Sequence, residues 1–298
     1  MAAAEKKHRG KINYKYILFL IISLCAAAVW QIGLSNLHGD TPPVSIGAES
    51  SVTVHFIDVG QGDATLIKTN KSSILIDGGD RRTASSVVQY LKDSQVDRID
   101  YMIATHPHAD HIAGLVNVLD AFEVGTVIMP KASNTTITFK RLLDTIETKN
   151  VTLQNSTAGE SFTIGETVFN IVAPNSTGYK DLNNYSVSVH MSHGSTAFLF
   201  TGDAQAESEN EMLEKGYKLS ANVLHIGHHG SNTSTTQSFL DAVSPEIAVI
   251  SCGAGNSYGH PHKETLKRLE EAGVRVYRTD LHGTIVITTN GSTLTVNK

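Results

Sequence analysis

Cysteine is almost missing from this chain. Cys25 and Cys252 are the two in 298 residues, and a bridge between them would tie an apolar N-terminal run to the body of the protein. A disulfide framework is therefore excluded, and the fold must be held by its core and by any bound metal. Aromatics are scarce at 6 %, with one Trp, and Pro at 7 is outnumbered by Gly at 24. Together with short runs of Val, Ile and Thr, that balance points to several strands joined by glycine turns. No repeat of solenoid period is present. Basic charge is also lacking where it would matter. Residues 1–35 carry five of the 24 basic residues and one of the 29 acidic ones, so the remainder has 19 against 28, a net charge of −9. A broad basic nucleic-acid groove is thereby disfavoured.

The chain has one long apolar run, Ile17 to Leu34, preceded by Lys6, Lys7, Arg9, Lys11 and Lys15. The run is just long enough to span a bilayer. No basic cluster follows it closely, so the positive-inside bias places residues 1–15 in the cytoplasm and the rest outside. A single-pass anchor over 16–35 is the first expectation. A secretory signal cleaved near Ala26-Ala27-Ala28 is the second, disfavoured because Trp30 and Ile32 extend the apolar stretch beyond it. Residues 36–50, with Gly39-Asp40-Thr41-Pro42-Pro43, read as a linker, leaving 51–298 as one globular domain.

Val52 to Asp58, Ala64 to Thr69 and Ser73 to Asp77 read as strands separated by Gly60-Gln61-Gly62 and Asn70-Lys71. Ala84 to Lys92 and Ile112 to Ala121 read as helices, alternating with strands over Tyr101–Thr105 and Val124–Met129. A further helix is expected near Phe139–Thr148, then strands over 151–203, including a hairpin that turns at His193-Gly194-Ser195. The last third alternates helix and strand and closes with a hairpin at Asn290-Gly291. Two sheets packed face to face with helices outside them fit this order.

Thr105-His106-Pro107-His108-Ala109-Asp110-His111 follows an apolar strand. Three imidazoles and one carboxylate in six positions are a strong metal signal. His106 and His108 can point the same way because strand side chains alternate, while Asp110 and His111 would face a second ion from the start of the next helix. With this HxHxDH pattern the chain resembles the metallo-β-lactamase superfamily over about residues 52–290. The resemblance implies an α/β αββα sandwich with the site at the sheet edges. It implies a supporting role for Asp77 in Ile76-Asp77-Gly78-Gly79, a bridging role for Asp203 after Thr201-Gly202, and metal ligation by His228. Adjacent His228 and His229 do not easily serve one ion, so His229 is placed with substrate or behind the metal, although the order could be reversed. The family usually has another histidine about 20 residues before the bridging aspartate; here Asn183-Asn184-Tyr185-Ser186 stands there. His106, His108 and Asp203, with water or Asn184, would then make up the first site. Two divalent cations, Zn²⁺ or Mn²⁺, are implied, and a site short of a histidine would lean towards the harder Mn²⁺.

A narrower resemblance rests on His55-Phe56-Ile57-Asp58-Val59-Gly60-Gln61-Gly62-Asp63-Ala64, the Asn183–Ser186 stretch, His228-His229-Gly230-Ser231 and Tyr258-Gly259-His260-Pro261-His262. These are similar to the extracellular metallo-hydrolase domain of ComEC-type DNA-uptake competence proteins. The resemblance implies phosphodiester hydrolysis on DNA at the cell surface, with Asp110 orienting the attacking water and Ser231 and Tyr258 either beside the substrate or behind the metal ligands. His260 is the candidate for binding phosphate or protonating the leaving oxygen. A redox role is disfavoured because that branch typically has Glu where His108 stands. Three alternatives remain open: hydrolysis of another exported phosphoester such as cell-wall choline-phosphate; a lactamase or thioester hydrolase; and a metal-binding but inactive surface protein that captures DNA.

Overall fold

The computed structural model describes residues 51–298. The expected tail 1–15, anchor 16–35 and linker 36–50 lie outside the described residues. In chain order the strands are β1 (Val52–Phe56), β2 (Thr65–Lys68), β3 (Ser73–Ile76), β4 (Arg98–Ile103), β5 (Glu123–Met129), β6 (Thr152–Asn155), β7 (Ser161–Ile164) and β8 (Thr167–Ala173). They continue with β9 (Ser188–His193), β10 (Thr196–Phe200), β11 (Val223–His225), β12 (Ile247–Ile250), β13 (Arg275–Arg278), β14 (Ile285–Thr289) and β15 (Leu294–Asn297). Among the described residues these form an eight-stranded sheet ordered β15-β14-β1-β2-β3-β4-β5-β6 and a seven-stranded sheet ordered β13-β12-β11-β10-β9-β8-β7. No helix of the described residues is long and apolar enough to cross a membrane.

The two-residue side-chain period sorts the core into three layers. Along β2, Leu66 faces the outer helices while Ile67 faces the opposite sheet. Along β10, Phe198 and Phe200 enter the layer between the sheets, and Leu199 points to the other outer layer. Helices Ala84–Asp93, Leu115–Ala121 and Ile137–Thr148 cover the first sheet through Leu91, Leu119 and Leu142. Helices Ala206–Glu214, Gln237–Val243 and Lys263–Glu271 cover the second through Met212, Leu240 and Leu269. The arrangement is the expected αββα sandwich. Buried strands such as Ser73–Ile76 and Thr196–Phe200 are covered on both faces, which is why they read as continuous apolar runs.

Each sheet changes from antiparallel to parallel pairing partway across. β3, β4, β5 and β6 are parallel in the first sheet, and β10, β11, β12 and β13 in the second. Parallel strands bring their carboxyl ends to one edge. The segments after β3, β4, β10, β11 and β12 carry Asp77, the histidine cluster, Asp203, His228-His229 and His260. A backbone bond from Val187 N to Thr105 O, 2.9 Å, links the two sheets at this edge.

The helix expected over Ile112–Ala121 is split into Ala109–Ile112 and Leu115–Ala121. The reason is a close backbone approach at Gly114. A Cβ there would lie 1.8 Å from the Gly78 carbonyl oxygen, while Gly114 N donates to Gly79 O at 2.9 Å and Gly78 N to His111 O at 2.8 Å. The turn after β3 and the histidine loop after β4 are thereby fastened together. Gly114→Ala is expected to cost on the order of 3 kcal/mol in denaturant unfolding. Gly165→Ala, at φ +57° in open space, should cost about 1 kcal/mol.

His55 on β1 is hydrogen-bonded to Tyr90 Oη at 2.8 Å and Thr53 Oγ1 at 3.0 Å. Burial, with Lys68 nearby, lowers its pKa to about 4. The unfolded chain, with His55 near 6.5, takes up the proton first, so this contribution to stability is full above pH 6.5 and lost as pH falls towards 4. Calorimetric melting between pH 7 and 4 should show a shallower decline for His55→Gln than for the parent chain.

Candidate metal centre

Asp77 sits at φ +58°, immediately after β3, and is fully buried. Its Oδ1 accepts from Thr105 N at 2.9 Å, and its Oδ2 accepts from Thr105 Oγ1 at 2.6 Å and His111 Nδ1 at 2.8 Å. Burial lifts its carboxyl above the usual range, partly offset by His111. Holding the Nδ1 proton of His111 leaves Nε2 as the free donor atom, the usual arrangement behind a metal-bound imidazole. That Nε2 is buried and without a hydrogen-bond partner, as are His229 Nε2 and Asp203 Oδ1.

Asp203 stands between two groups of nitrogens. Its Oδ1 lies 3.3 Å from His111 Nε2 and 3.7 Å from His229 Nε2. Its Oδ2 lies 3.6 Å from His106 Nε2 and 3.9 Å from His228 Nε2. His106 Nε2 and His108 Nδ1 are 3.0 Å apart. Donor atoms of His106, His108 and Asp203 fall within 4.8 Å of one another, and so do donor atoms of Asp63, His111, Asp203 and His229. Two donor sets thus share one carboxylate, each rich in imidazole and carboxylate and each suited to a divalent cation.

The charges respond to this crowding. Burial opposes ionisation of His111 and His229, yet Asp203 with Asp77, and Asp203 with Asp63, outweigh it and raise both histidines well above their ordinary value. Burial likewise opposes the Asp203 carboxylate, but His111 and His229 hold it well below the usual range. Burial pushes His106 well down, reinforced by His111. Asp110 is lowered, with burial outweighed by the nearby imidazoles of His229, 3.4 Å away, and His111. Buried carboxylates here demand positive charge, which divalent cations would supply.

Most residues singled out in the sequence meet here, with two rearrangements. His229, not His228, is the buried histidine of the second donor set; its Nδ1 donates to Ser251 O at 3.0 Å. His228 turns to the other oxygen of Asp203, with Nδ1 3.1 Å from Thr233 Oγ1. Consecutive positive φ values, 52° and 54°, send the two neighbouring rings to different sides. Asn184 is not poised for the first set. Its Oδ1 accepts from Gln205 N at 3.1 Å and Ser208 N at 3.4 Å, and its Nδ2 donates to Glu207 Oε2 at 3.1 Å, so the amide is consumed at the start of the following helix. Asn183 instead faces the site, with Nδ2 3.3 Å from His228 Nε2.

Asp110 is the less enclosed carboxylate, its Oδ2 3.4 Å from His229 Nε2. Ser231 is a turn residue, its Oγ 3.0 Å from Thr233 Oγ1. His260 lies with its ring 5.4 Å from that of His228 and 6.2 Å from that of His229. Tyr258, 65 % exposed, stacks on His260 at 5.7 Å and 19°. Burial, then His229 and His228, lowers His260 to about 4.

Three contributors escaped the sequence reading. Ser186 Oγ accepts from Asp203 N at 3.0 Å and lies 3.3 Å from His106 Nδ1, linking both sets. Thr105 Oγ1 lies 3.1 Å from His106 Nδ1. Asp63 belongs to a donor set although it is far from the histidine motif in sequence. Ser186 and Asp63 stand in the quoted Asn183–Ser186 and Gly60–Asp63 stretches, which carried the signal without the role.

The profile of the family described as "Metallo-beta-lactamase superfamily" matches residues 57–254. "ComE operon protein 3" of Bacillus subtilis is 29 % identical over 250 residues, 78 % of this chain and 32 % of that protein. "Competence protein ComA" of Neisseria gonorrhoeae is 31 % identical over 239 residues, 80 % of this chain and 32 % of that protein. The chain thus spans about a third of the length of these curated relatives. The crystal structure of the metallo-β-lactamase fold protein YhfI from Bacillus subtilis superposes with a TM-score of 0.52 at 12 % identity, covering 83 % of this chain and all of that one, and shows a shared fold.

Asp77→Asn should weaken divalent-cation binding by about 10- to 100-fold, read by calorimetric titration of Mn²⁺ or Zn²⁺, because His111 loses the acceptor that fixes its tautomer.

Proposed function

Because the chain belongs to the metallo-β-lactamase superfamily, we propose that it is a metal-dependent phosphodiesterase that cleaves DNA outside the cytoplasm, tethered through residues 16–35. The observation that carries this reading is Asp203, whose two oxygens face separate imidazole groups, His111 with His229 and His106 with His228. DNA is favoured over other phosphoesters by the similarity to a protein named for competence and by the motifs shared with DNA-uptake competence domains. The extracytoplasmic location rests on the basic residues before the apolar run.

His106, His108 and Asp203 Oδ2 would hold one cation, and His111, His229 and Asp203 Oδ1 the other. When bound, such a pair lowers the pKa of water and neutralises charge on a phosphate. The residues of the chain do the rest. Asp110, held ionised, accepts a proton-bearing group and orients it. Asp77 and Ser251 O fix the tautomers of His111 and His229. His260, lowered to about 4, is a neutral imidazole at pH 7, so it serves as a hydrogen-bond donor to a phosphate or leaving oxygen rather than as a standing cation. Its Nδ1 is buried without a partner. Asn256 keeps the loop in place, its Oδ1 accepting from Tyr258 N at 3.1 Å and His260 N at 3.0 Å.

The full chain in detergent, given labelled single- and double-stranded DNA with Mn²⁺ or Zn²⁺, should cleave in a metal-dependent manner. Asp110→Ala should abolish the cleavage. His260→Ala should reduce turnover by about 100-fold with metal content unchanged; loss of metal in that variant would remove His260 from its assigned role. Turnover of a small phosphodiester without DNA cleavage would move the assignment to another exported phosphoester such as choline-phosphate. Saturable DNA binding with no product under any of these metals would favour an inactive capture protein.

A further inference from the structure

Asp63 lies in the Gly60-Gln61-Gly62-Asp63 turn between β1 and β2, 3 % exposed. Its backbone is pinned on both sides. Asp63 N donates to Asp110 O at 3.2 Å, and Asp63 O accepts from Gly79 N at 2.8 Å. The preceding Gly62, at φ +140°, comes so close to the histidine loop that a Cβ would lie 2.4 Å from Asp110 O. The turn therefore delivers a carboxylate underneath the second donor set and fixes it there.

That carboxylate is not satisfied where it sits. Asp63 Oδ1 is buried with no hydrogen-bond partner, in the same condition as His111 Nε2, Asp203 Oδ1 and His229 Nε2. The imidazole nitrogens that face it are His229 Nδ1 at 3.3 Å and His225 Nε2 at 3.8 Å. Both nitrogens already have other partners, Ser251 O at 3.0 Å and Ser251 Oγ at 2.9 Å. A carboxylate kept only to orient His229 would be redundant with the Ser251 carbonyl. A buried carboxylate oxygen without a donor is costly unless a cation meets it.

Resting on the reading that this pocket holds two cations, we propose that Asp63 is a direct ligand of the second cation and that its oxygen raises Mn²⁺ affinity there more than Zn²⁺ affinity. Asp63 and Asp203 then offer two carboxylates beside the imidazoles of His111 and His229, with Asp110 Oδ2 3.4 Å from His229 Nε2. Oxygen-rich donor sets with room for more than four ligands suit Mn²⁺, whereas Zn²⁺ settles for four and prefers nitrogen and sulfur. The first donor set, with His106, His108 and one oxygen of Asp203, offers a single carboxylate, so the oxygen ligands gather at the second site and not at the first, where the missing histidine led us to expect the lean towards Mn²⁺.

The test is calorimetric titration of the metal-free full chain in detergent with Mn²⁺ and, separately, Zn²⁺, comparing the parent with Asp63→Asn. Expected is a loss of about tenfold or more in Mn²⁺ affinity at one of two sites, with Zn²⁺ affinity changed far less. Equal weakening of both metals would overturn the proposal, since Asp63 would then act through His229. Unchanged Mn²⁺ binding, or a parent chain that binds no second cation, overturns it too. If the variant does not melt cooperatively, a crystal of the parent with Mn²⁺ decides, and anomalous density out of contact with Asp63 Oδ1 refutes the assignment. None of these readings uses DNA, so failure to cleave DNA with Asp63-dependent Mn²⁺ binding intact removes only the nuclease reading.

Discussion

Buried negative charge at the joined edges of two sheets is the constraint on which the site depends. Asp63, Asp77 and Asp203 are each at most 3 % exposed, and Asp110 leans over His229 beside them. Carboxylates gathered in this way repel one another and are expensive to desolvate unless positive charge stands among them. In the protein alone that charge comes from His111 and His229, both raised well above their ordinary value by Asp203 and its neighbours. Divalent cations are the stronger answer to the same demand, and the unpartnered Nε2 atoms of these two histidines are where they would be met.

Such a cluster persists only if the backbone around it cannot relax. The turns after β1 and β3 and the loop after β4 are bound through Asp63, Gly79, Gly114, Gly78 and His111. At Gly114 and Gly62 the chains approach too closely for any side chain. On the opposite sheet, Ser186 ties the Asp203 backbone to His106. The left-handed conformation of His228 and His229 is a local cost of the kind that concentrates at functional sites. In return, two adjacent imidazoles reach opposite oxygens of one carboxylate, so a histidine doublet serves both halves of the centre. This also bears on the missing family histidine near Asn183, since the side of Asp203 where that residue would act is occupied by His228 and Asn183.

The electrostatics outside the centre differ from those within. The region beyond residue 35 is acidic overall, with 19 basic against 28 acidic residues. Any hold on a polyanion must therefore be local, through whatever cations the centre binds and through groups such as His260 and the exposed Tyr258 ring stacked on it. Stacking on an aromatic ring is indifferent to net charge and to base identity.

By itself the sequence determined the layer order and the cluster of His106, His108, Asp110 and His111. Alternating apolar strands and helical periods give the αββα sandwich, because a side-chain period of two or 3.6 is a local property of the chain. His106, His108, Asp110 and His111 are adjacent in sequence, so their spacing carried the metal signal directly. Only the tertiary structure could decide what depends on long-range approach. Whether His228 or His229 enters the second set is settled by backbone torsions that the doublet does not encode. Asn184 was drawn away by the helix beginning at Ala206, and the break at Gly114 came from the carbonyl of Gly78. Asp63 shows the limit most clearly. In the chain it is one acid in a glycine turn, and it became part of the centre only when two further loops closed over it.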